Sequence, residues 1–173
     1  MEKARQDVPS WDEFFIKIAE TVSKKSKDPS TQNGCVIVDK KNKPISFGYN
    51  GFISDADENK MTFERPMKYF LTIHAEMNAI LFAKKDLEDC VLYTLYAPCD
   101  NCLKHIIQSG IKKIIYKNYI VESKKTNNEK YIANENTREA ITRILLSRPD
   151  VKCYNLDGKT FLEEMWGKDI PIF

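Results

Sequence analysis

Apolar side chains near the start of the chain recur at helical spacing. Trp11, Phe14, Phe15, Ile18, Ala19 and Val22 share one face of a 3.6-residue period. Ser10 precedes this run and Glu13 follows three residues later, a capping-box pattern that opens a helix. Residues 26–31, with Pro29 among them, close it. Two short β-rich runs follow, 35–38 and 45–49. The polar turn Asp39-Lys40-Lys41-Asn42-Lys43 between them predicts a hairpin. Residues 51–67 are polar and irregular and read as a surface loop. The pattern then alternates: a helix over 73–84, a strand over 90–96, a helix over 99–109 closed by Gly110, and a strand over 113–116. A long polar stretch over 118–136 is the segment expected to be mobile. A helix over 137–146 and a short strand over 151–154 complete the order, and no internal repeat is visible.

Alternating helices and strands imply parallel pairing through right-handed crossovers. The expected fold class is therefore α/β. It is a three-layer α/β/α sandwich with a mixed five-stranded sheet, antiparallel at the hairpin and parallel afterwards.

The chain has 173 residues, which suits one domain over 1–173 with its own core. Residues 155–173 form a C-terminal extension with no assigned role, although Phe161, Met165, Trp166 and Phe173 could cap the core or build a subunit interface. Lys and Arg number 27 against 25 Asp and Glu, a net charge of +2. That balance does not mark a polynucleotide binder, whereas a mononucleotide needs only one or two well-placed cations. The first eleven residues lack an apolar targeting core, and no stretch approaches the roughly 18 apolar residues of a membrane span. No membrane contact and a cytoplasmic location are expected. In a reducing compartment Cys35, Cys90, Cys99, Cys102 and Cys153 read as thiols or metal ligands, not disulfides.

The candidate chemistry starts at Cys99 and Cys102. A Cys-x-x-Cys pair at a helix start lets both sulfurs reach one metal, and the positive end of the helix dipole favours thiolates. Alone, the pair is equally a redox motif or two buried cysteines. His74 changes the picture. It stands at the start of the preceding helix, and the interval from Glu76 to Pro98 accommodates one helix, a turn and one strand. The two helix starts can then lie side by side at one end of the sheet. One histidine and two cysteines make a three-ligand zinc site with a fourth position for water, the mark of a catalytic zinc, since structural sites close with four protein ligands. Zinc brings the pKa of such a water towards about 7. Glu76 is placed to take the water's proton and return protons to a ring nitrogen and a leaving amine. H-x-E followed by P-C-x-x-C is the signature of zinc nucleobase deaminases. His105, on the Cys102 helix, is read as structural.

Several stretches extend that pattern: Ser26-Lys27-Asp28-Pro29-Ser30-Thr31-Gln32, Gly48-Tyr49-Asn50-Gly51, and Lys68-Tyr69 leading to His74-Ala75-Glu76-Met77-Asn78-Ala79-Ile80. Pro98-Cys99-Asp100-Asn101-Cys102 and Ile106-Ile107-Gln108-Ser109-Gly110-Ile111 continue it. Over roughly residues 11–119 the chain resembles the deoxycytidylate (dCMP) deaminase family of the cytidine deaminase superfamily. The resemblance implies conversion of dCMP to dUMP with release of ammonia. It also implies one zinc per chain and a homo-oligomer, a hexamer or a dimer. Carried over, Asn50 would contact the sugar and the Ala75 N–H would read the base O2. Lys27 in the 26–31 loop would meet the 5′-phosphate, with Arg65 and Lys68 as second candidates. Tyr116 and Tyr119 would lie near the pocket, with core packing the alternative for Tyr116. Family members commonly place a proline and then a glycine after Gly-Tyr-Asn-Gly. Here those positions hold Ile53 and Asp55, in the region the family links to regulation by dCTP and dTTP. Residues 51–73 contain no Cys or His for a second zinc. Other readings remain: dCTP, cytidine, deoxycytidine, guanine or tRNA adenosine as substrate, or a non-catalytic zinc module.

Overall fold

The computed structural model describes residues 3–119 and 135–172. Its elements follow the order α1 (Trp11–Ser23), β1 (Gly34–Val38), β2 (Pro44–Tyr49), a 3-10 turn (Glu58–Lys60), α2 (Lys68–Leu71), α3 (Ala75–Ala83), β3 (Val91–Tyr96), α4 (Asp100–Gln108), β4 (Lys113–Asn118), α5 (Glu135–Ser147), β5 (Lys152–Asn155) and α6 (Phe161–Trp166). The sheet order is β2-β1-β3-β4-β5. No helix among the described residues is long and apolar enough to cross a membrane.

Ser10 caps α1 through the expected box, its hydroxyl accepting the Glu13 N–H while Glu13 accepts from the Ser10 N–H. β1 and β2 form the expected hairpin. Asp39 Oδ1 organises the turn by accepting the N–H groups of Lys41 and Lys43 at 2.8 and 2.9 Å. β3–β4 and β4–β5 are parallel. The expectation of parallel pairing after the hairpin fails at one place: β1 and β3 are antiparallel. The reason is topological. The β2–α3–β3 crossover passes over β1, so β3 runs in the same sense as β2 and meets the opposed strand between them.

Strand alternation sorts side chains to two faces. Val36, Val38, Tyr93, Leu95 and Ile115 pack with Phe15, Ile16 and Ala19 of α1. Cys35, Ile37, Leu92, Ile114 and Tyr116 pack on the other face with residues of α3, α4, α5 and α6. The result is the expected three-layer α/β/α sandwich, and β1, covered on both faces, is buried at every residue. The C-terminal extension contributes α6. Thr160 and Glu163 form a second capping box there, and Phe161 and Met165 enter the core. Most of the polar stretch expected to be mobile lies outside the described residues.

Two glycines let the helices touch the sheet backbone directly. A Cβ at Gly34 would lie 2.0 Å from the Ala19 carbonyl oxygen in α1. One at Gly48 would lie 2.1 Å from the Ala75 carbonyl oxygen and 2.4 Å from the Ala79 nitrogen, so α3 rests on β2 at that point. Because the neighbours are backbone, no rotamer change relieves the clash. Gly48→Ala is expected to cost about 3 kcal/mol or more, at the upper end for overpacking. Gly51→Ala, whose Cβ would meet only the Tyr49 ring at 3.8 Å, should stay within about 0.5 kcal/mol. Urea unfolding of both variants checks this, and equal midpoints would refute the close seat of α3.

Candidate functional site

The start of α3 is set by a short extended segment. Ile73 and Gly51 exchange backbone hydrogen bonds of 2.8 and 3.1 Å. His74 is thereby held in extended conformation as the N-cap of α3, with Ala75 and Glu76 in the first turn. The helix expected from residue 73 begins two residues later for this reason. The four-residue α2 just before it was not expected from the pattern. α4 begins in the same way. Cys99 is its extended N-cap, and its sulfur accepts the Cys102 N–H at 3.4 Å.

The two helix starts meet as the sequence spacing requires. His74 Nδ1 lies 3.3 Å from Cys102 Sγ and 3.6 Å from Cys99 Sγ. One donor atom from each of the three lies within 4.8 Å of the others. A tetrahedral zinc, with Zn–S near 2.3 Å and Zn–N near 2.0 Å, sets a sulfur and a nitrogen ligand roughly 3.6 Å apart. The donor set therefore fits zinc in chemistry and in spacing. Both cysteines are buried, while His74 keeps an exposed edge.

Charge is unevenly distributed among these groups. The hydrogen bond from Cys102 holds the Cys99 thiol well below its ordinary value, against the effect of burial and with help from His74. The Cys99 hydrogen bond raises His74 to about 9. Cys102, which supplies the bond to Cys99 and is buried, is pushed up. Ligands to a metal must be deprotonated, so a metal held by these three groups would displace any protons they carry. Glu76 is 3% exposed and its Oε2 lies 3.7 Å from Cys102 Sγ. Burial raises its carboxyl above the ordinary range.

The other expected site residues divide. Ala75 is buried at the first helical position, where an N–H has no intrahelical acceptor and is available to a ligand. Asn50 is buried and committed to the protein itself. Its Oδ1 accepts the Asn33 N–H at 2.7 Å, and its Nδ2 donates to the Thr31 carbonyl at 2.9 Å and to Asp28 at 3.3 Å. Lys27 is exposed and ion-paired with Glu58. It lines a cavity of about 340 Å³ with Tyr49, Phe52, Phe63, Asn78 and Phe82, a lining that includes none of His74, Glu76, Cys99 or Cys102. Tyr116 takes its core alternative. It is fully buried, packs on Phe161, and its hydroxyl donates to Glu164. Tyr119 packs edge-on against the same Phe161 ring at 5.8 Å. Arg65 lies over the Tyr69 ring, and the His105 ring bonds the Asn101 carbonyl of its own helix.

Three buried polar residues were missed: Asn33, which reaches Glu76, Thr94, which braces Asn33, and Asp28, which joins them through Asn50. Asn33 and Thr94 carry a signal in principle, since each is a polar residue set against or within an apolar strand run. Asp28 Oδ2 lies 2.6 Å from Lys68 Nζ, with side-chain exposures of 0% and 7%, and Lys68 also reaches Ser30 Oγ at 2.6 Å. Burial works to raise the Asp28 carboxyl, but Lys68 and the N–H groups of Ser30 and Thr31 outweigh it and hold it below the ordinary value. The pair fixes the 28–33 loop to α2, so Lys68 serves the scaffold.

The comparisons agree with this geometry. Residues 9–118, more than half the chain, match the family model described as the cytidine and deoxycytidylate deaminase zinc-binding region. An uncharacterized deaminase in the luxG 3′ region of Aliivibrio fischeri is 48% identical over 107 residues, 62% of this chain and 72% of that protein. A probable deoxycytidylate deaminase of Caenorhabditis elegans is 42% identical over 107 residues, and the match spans 59% of this chain but only 54% of that relative. The solved dCMP deaminase of the cyanophage S-TIM5, in complex with dCMP and dUMP, is 28% identical with a TM-score of 0.51, covering 64% of this chain and 83% of that one.

Lys68→Met, which strands a buried carboxylate, is expected to cost about 3–5 kcal/mol at pH 7. A depressed carboxyl contributes stability that is present above the unfolded Asp value and lost as pH falls through the folded value. The deficit of the variant should therefore shrink as pH falls from 7 to 4, because its buried Asp28, without Lys68, binds a proton at higher pH than the wild-type carboxylate does. Denaturation across pH checks this, and an equal deficit at pH 4 and pH 7 would overturn it.

Proposed function

The chain belongs to the cytidine and deoxycytidylate deaminase family, and on that premise we propose that it hydrolyses dCMP to dUMP and ammonia, with zinc held by His74, Cys99 and Cys102 and protons moved by Glu76. The observation that carries this reading is the approach of His74 Nδ1 to both thiols, 3.3 and 3.6 Å, with the buried Glu76 carboxylate 3.7 Å from Cys102. A purely structural zinc site has no use for an unligated buried carboxylate at that place. The nucleotide substrate is supported by the cyanophage enzyme, solved with dCMP and dUMP.

Zinc, when bound, supplies the Lewis acidity that makes water a nucleophile at neutral pH. The chain's own groups do the rest. Glu76 accepts the proton of the attacking water as oxygen bonds to C4 of the cytosine. It delivers that proton to ring N3. The second water proton, taken up in turn by Glu76, goes to the amine as the C4–N bond breaks and ammonia leaves. The Ala75 N–H, at the positive end of α3, orients the base through its O2. Asn50 holds the 28–33 loop beside the site. The exposed apolar side chains Phe47 and Tyr49 on the edge strand and Leu81 and Phe82 on α3 support a homo-oligomer.

The test is ammonia release by purified zinc-loaded protein from dCMP, dCTP, CMP, deoxycytidine and guanine, with dCTP and dTTP added separately to read any regulation. Activity on dCMP should exceed that on deoxycytidine, and equal rates would remove the claim that a phosphate is read. Glu76→Gln should lower kcat by about 10²–10⁴-fold, the usual contribution of a general acid–base group, while retaining one zinc per chain. Wild-type activity in Glu76→Gln would sink the mechanism.

A further inference from the structure

Asn33 stands directly before β1, is buried, and touches Glu76, yet it belongs to none of the sequence motifs that mark the site. Its side chain is oriented by its surroundings. The Leu95 N–H can only donate, so the carboxamide atom facing it at 3.3 Å is Oδ1. The Nδ2 group is thereby turned toward Glu76 Oε1 at 3.4 Å and Thr94 Oγ1 at 3.2 Å. Thr94 also reaches Asn33 Oδ1 at 3.3 Å, so one hydroxyl braces both ends of the amide. The backbone is fixed as well: the Asn33 N–H donates to Asn50 Oδ1 at 2.7 Å, and the Asn50 N–H donates to the Asn33 carbonyl at 3.3 Å. A contact of 3.4 Å is long for a hydrogen bond, but catalytic contacts are commonly long before substrate binds. The two carboxylate oxygens of Glu76 are consequently unequal. Oε1 faces an amide donor, and Oε2 lies on the side of Cys102, 3.7 Å from its sulfur.

We propose that Asn33 is a positioning residue: its carboxamide pins Glu76 Oε1 and leaves Oε2, on the side of Cys102, as the oxygen that carries protons. The role rests on the reading of Glu76 as the proton-transfer group. Asn33 donates no proton in the reaction and binds no substrate atom. It selects one rotamer of a buried carboxylate. Through its backbone it also joins that rotamer to Asn50, so the loop beside the site and the catalytic carboxylate move as one piece.

Asn33→Leu, close in volume and unable to donate, should lower kcat on dCMP roughly 10- to 100-fold, the range for losing a hydrogen bond to a charged group. KM should stay within about 3-fold, because the variant alters transition-state interactions and not uniform binding. A merely structural role would instead lower zinc content and melting temperature and leave kcat per zinc-loaded molecule unchanged. Asn33→Asp keeps the acceptor for Leu95 but turns a second carboxylate toward Glu76, and should lose at least as much activity. Turnover per zinc within 2-fold of wild type in both variants would overturn the proposal. Should Asn33→Leu fail to fold, Thr94→Val carries the same test, with an expected kcat loss of about 3- to 10-fold at constant KM, and no loss counts against the role. Crystal structures of the wild type and of Asn33→Asp separate this inference from the substrate reading. A rotated Glu76 carboxylate in the variant is expected, and an unmoved one refutes the positioning role. A wild type inactive on dCMP would remove the substrate assignment alone.

Discussion

The seating of α3 on β2 is the constraint that fixes where the histidine and the carboxylate of the site stand. With no side chain at Gly48, the backbone of α3 lies against the strand, and the Ala75 carbonyl occupies the space a Cβ would take. A helix that close has little freedom to slide or rotate. Its first turn therefore arrives at one height above the sheet, and with it His74 and Glu76. The other half of the site is set independently by the end of β3, which passes through Ala97 and Pro98 into the N-cap of α4. Close packing of this kind transmits small displacements without damping. A shift of either helix would part the histidine from the thiols.

Beneath the donors runs a line of buried polar groups: Lys68 to Asp28, Asp28 to Asn50, Asn50 to Asn33, and Asn33 to Glu76. Each would be costly alone, since an unpaired polar group in a low-dielectric interior loses its water without replacement. Together they are satisfied, and such a network specifies one arrangement. It also explains why a polar loop, 28–33, can pass so near an apolar strand. The Asp28 carboxylate gathers the N–H groups of Ser30 and Thr31 and the Lys68 ammonium, and the amide of Asn50 closes the loop against the end of β2.

The sequence shows the quartet because metal chemistry demands particular residue types at particular spacings, and those survive as a pattern in one dimension. The strands and most helices are equally visible, because burial on one face imposes a period. What was not visible has a physical reason in each case. The antiparallel β1–β3 pair depends on which edge of the hairpin receives β3, a choice that no local pattern encodes. α2 is a single turn, too short for a period. α6 had a signal in the Thr160-to-Glu163 capping spacing, but at six residues it is too short for a helical period to show. The resemblance places Asn50 and Tyr116 at the substrate, whereas the loop tie made by Asn50 and the buried hydrogen bond from Tyr116 to Glu164 depend on neighbours far along the chain, which no local pattern shows. Asn33 was missed because an asparagine before a strand is an ordinary boundary residue until its side chain is seen turned inward.

The electrostatic design of the site depends on both helices presenting the same end. Two thiolates on one divalent metal cancel its charge and weaken it as a Lewis acid. Cys99 moderates this by serving as the N-cap of α4, where its sulfur accepts the Cys102 N–H and sits at the positive end of the helix. That placement draws electron density toward the backbone and away from the metal. α3 points its own N-terminus at the same space, so negative charge developing on a bound base meets N–H groups instead of carbonyls. Glu76, within that first turn, would be stabilised as an anion by the same dipole, yet its burial works in the opposite direction and raises its proton affinity. The balance suits a group that must accept a proton and then release it. A carboxylate at the same height but exposed to water would hold its charge too well to serve as a base, and one buried without the helix end would hold its proton too well to give it back.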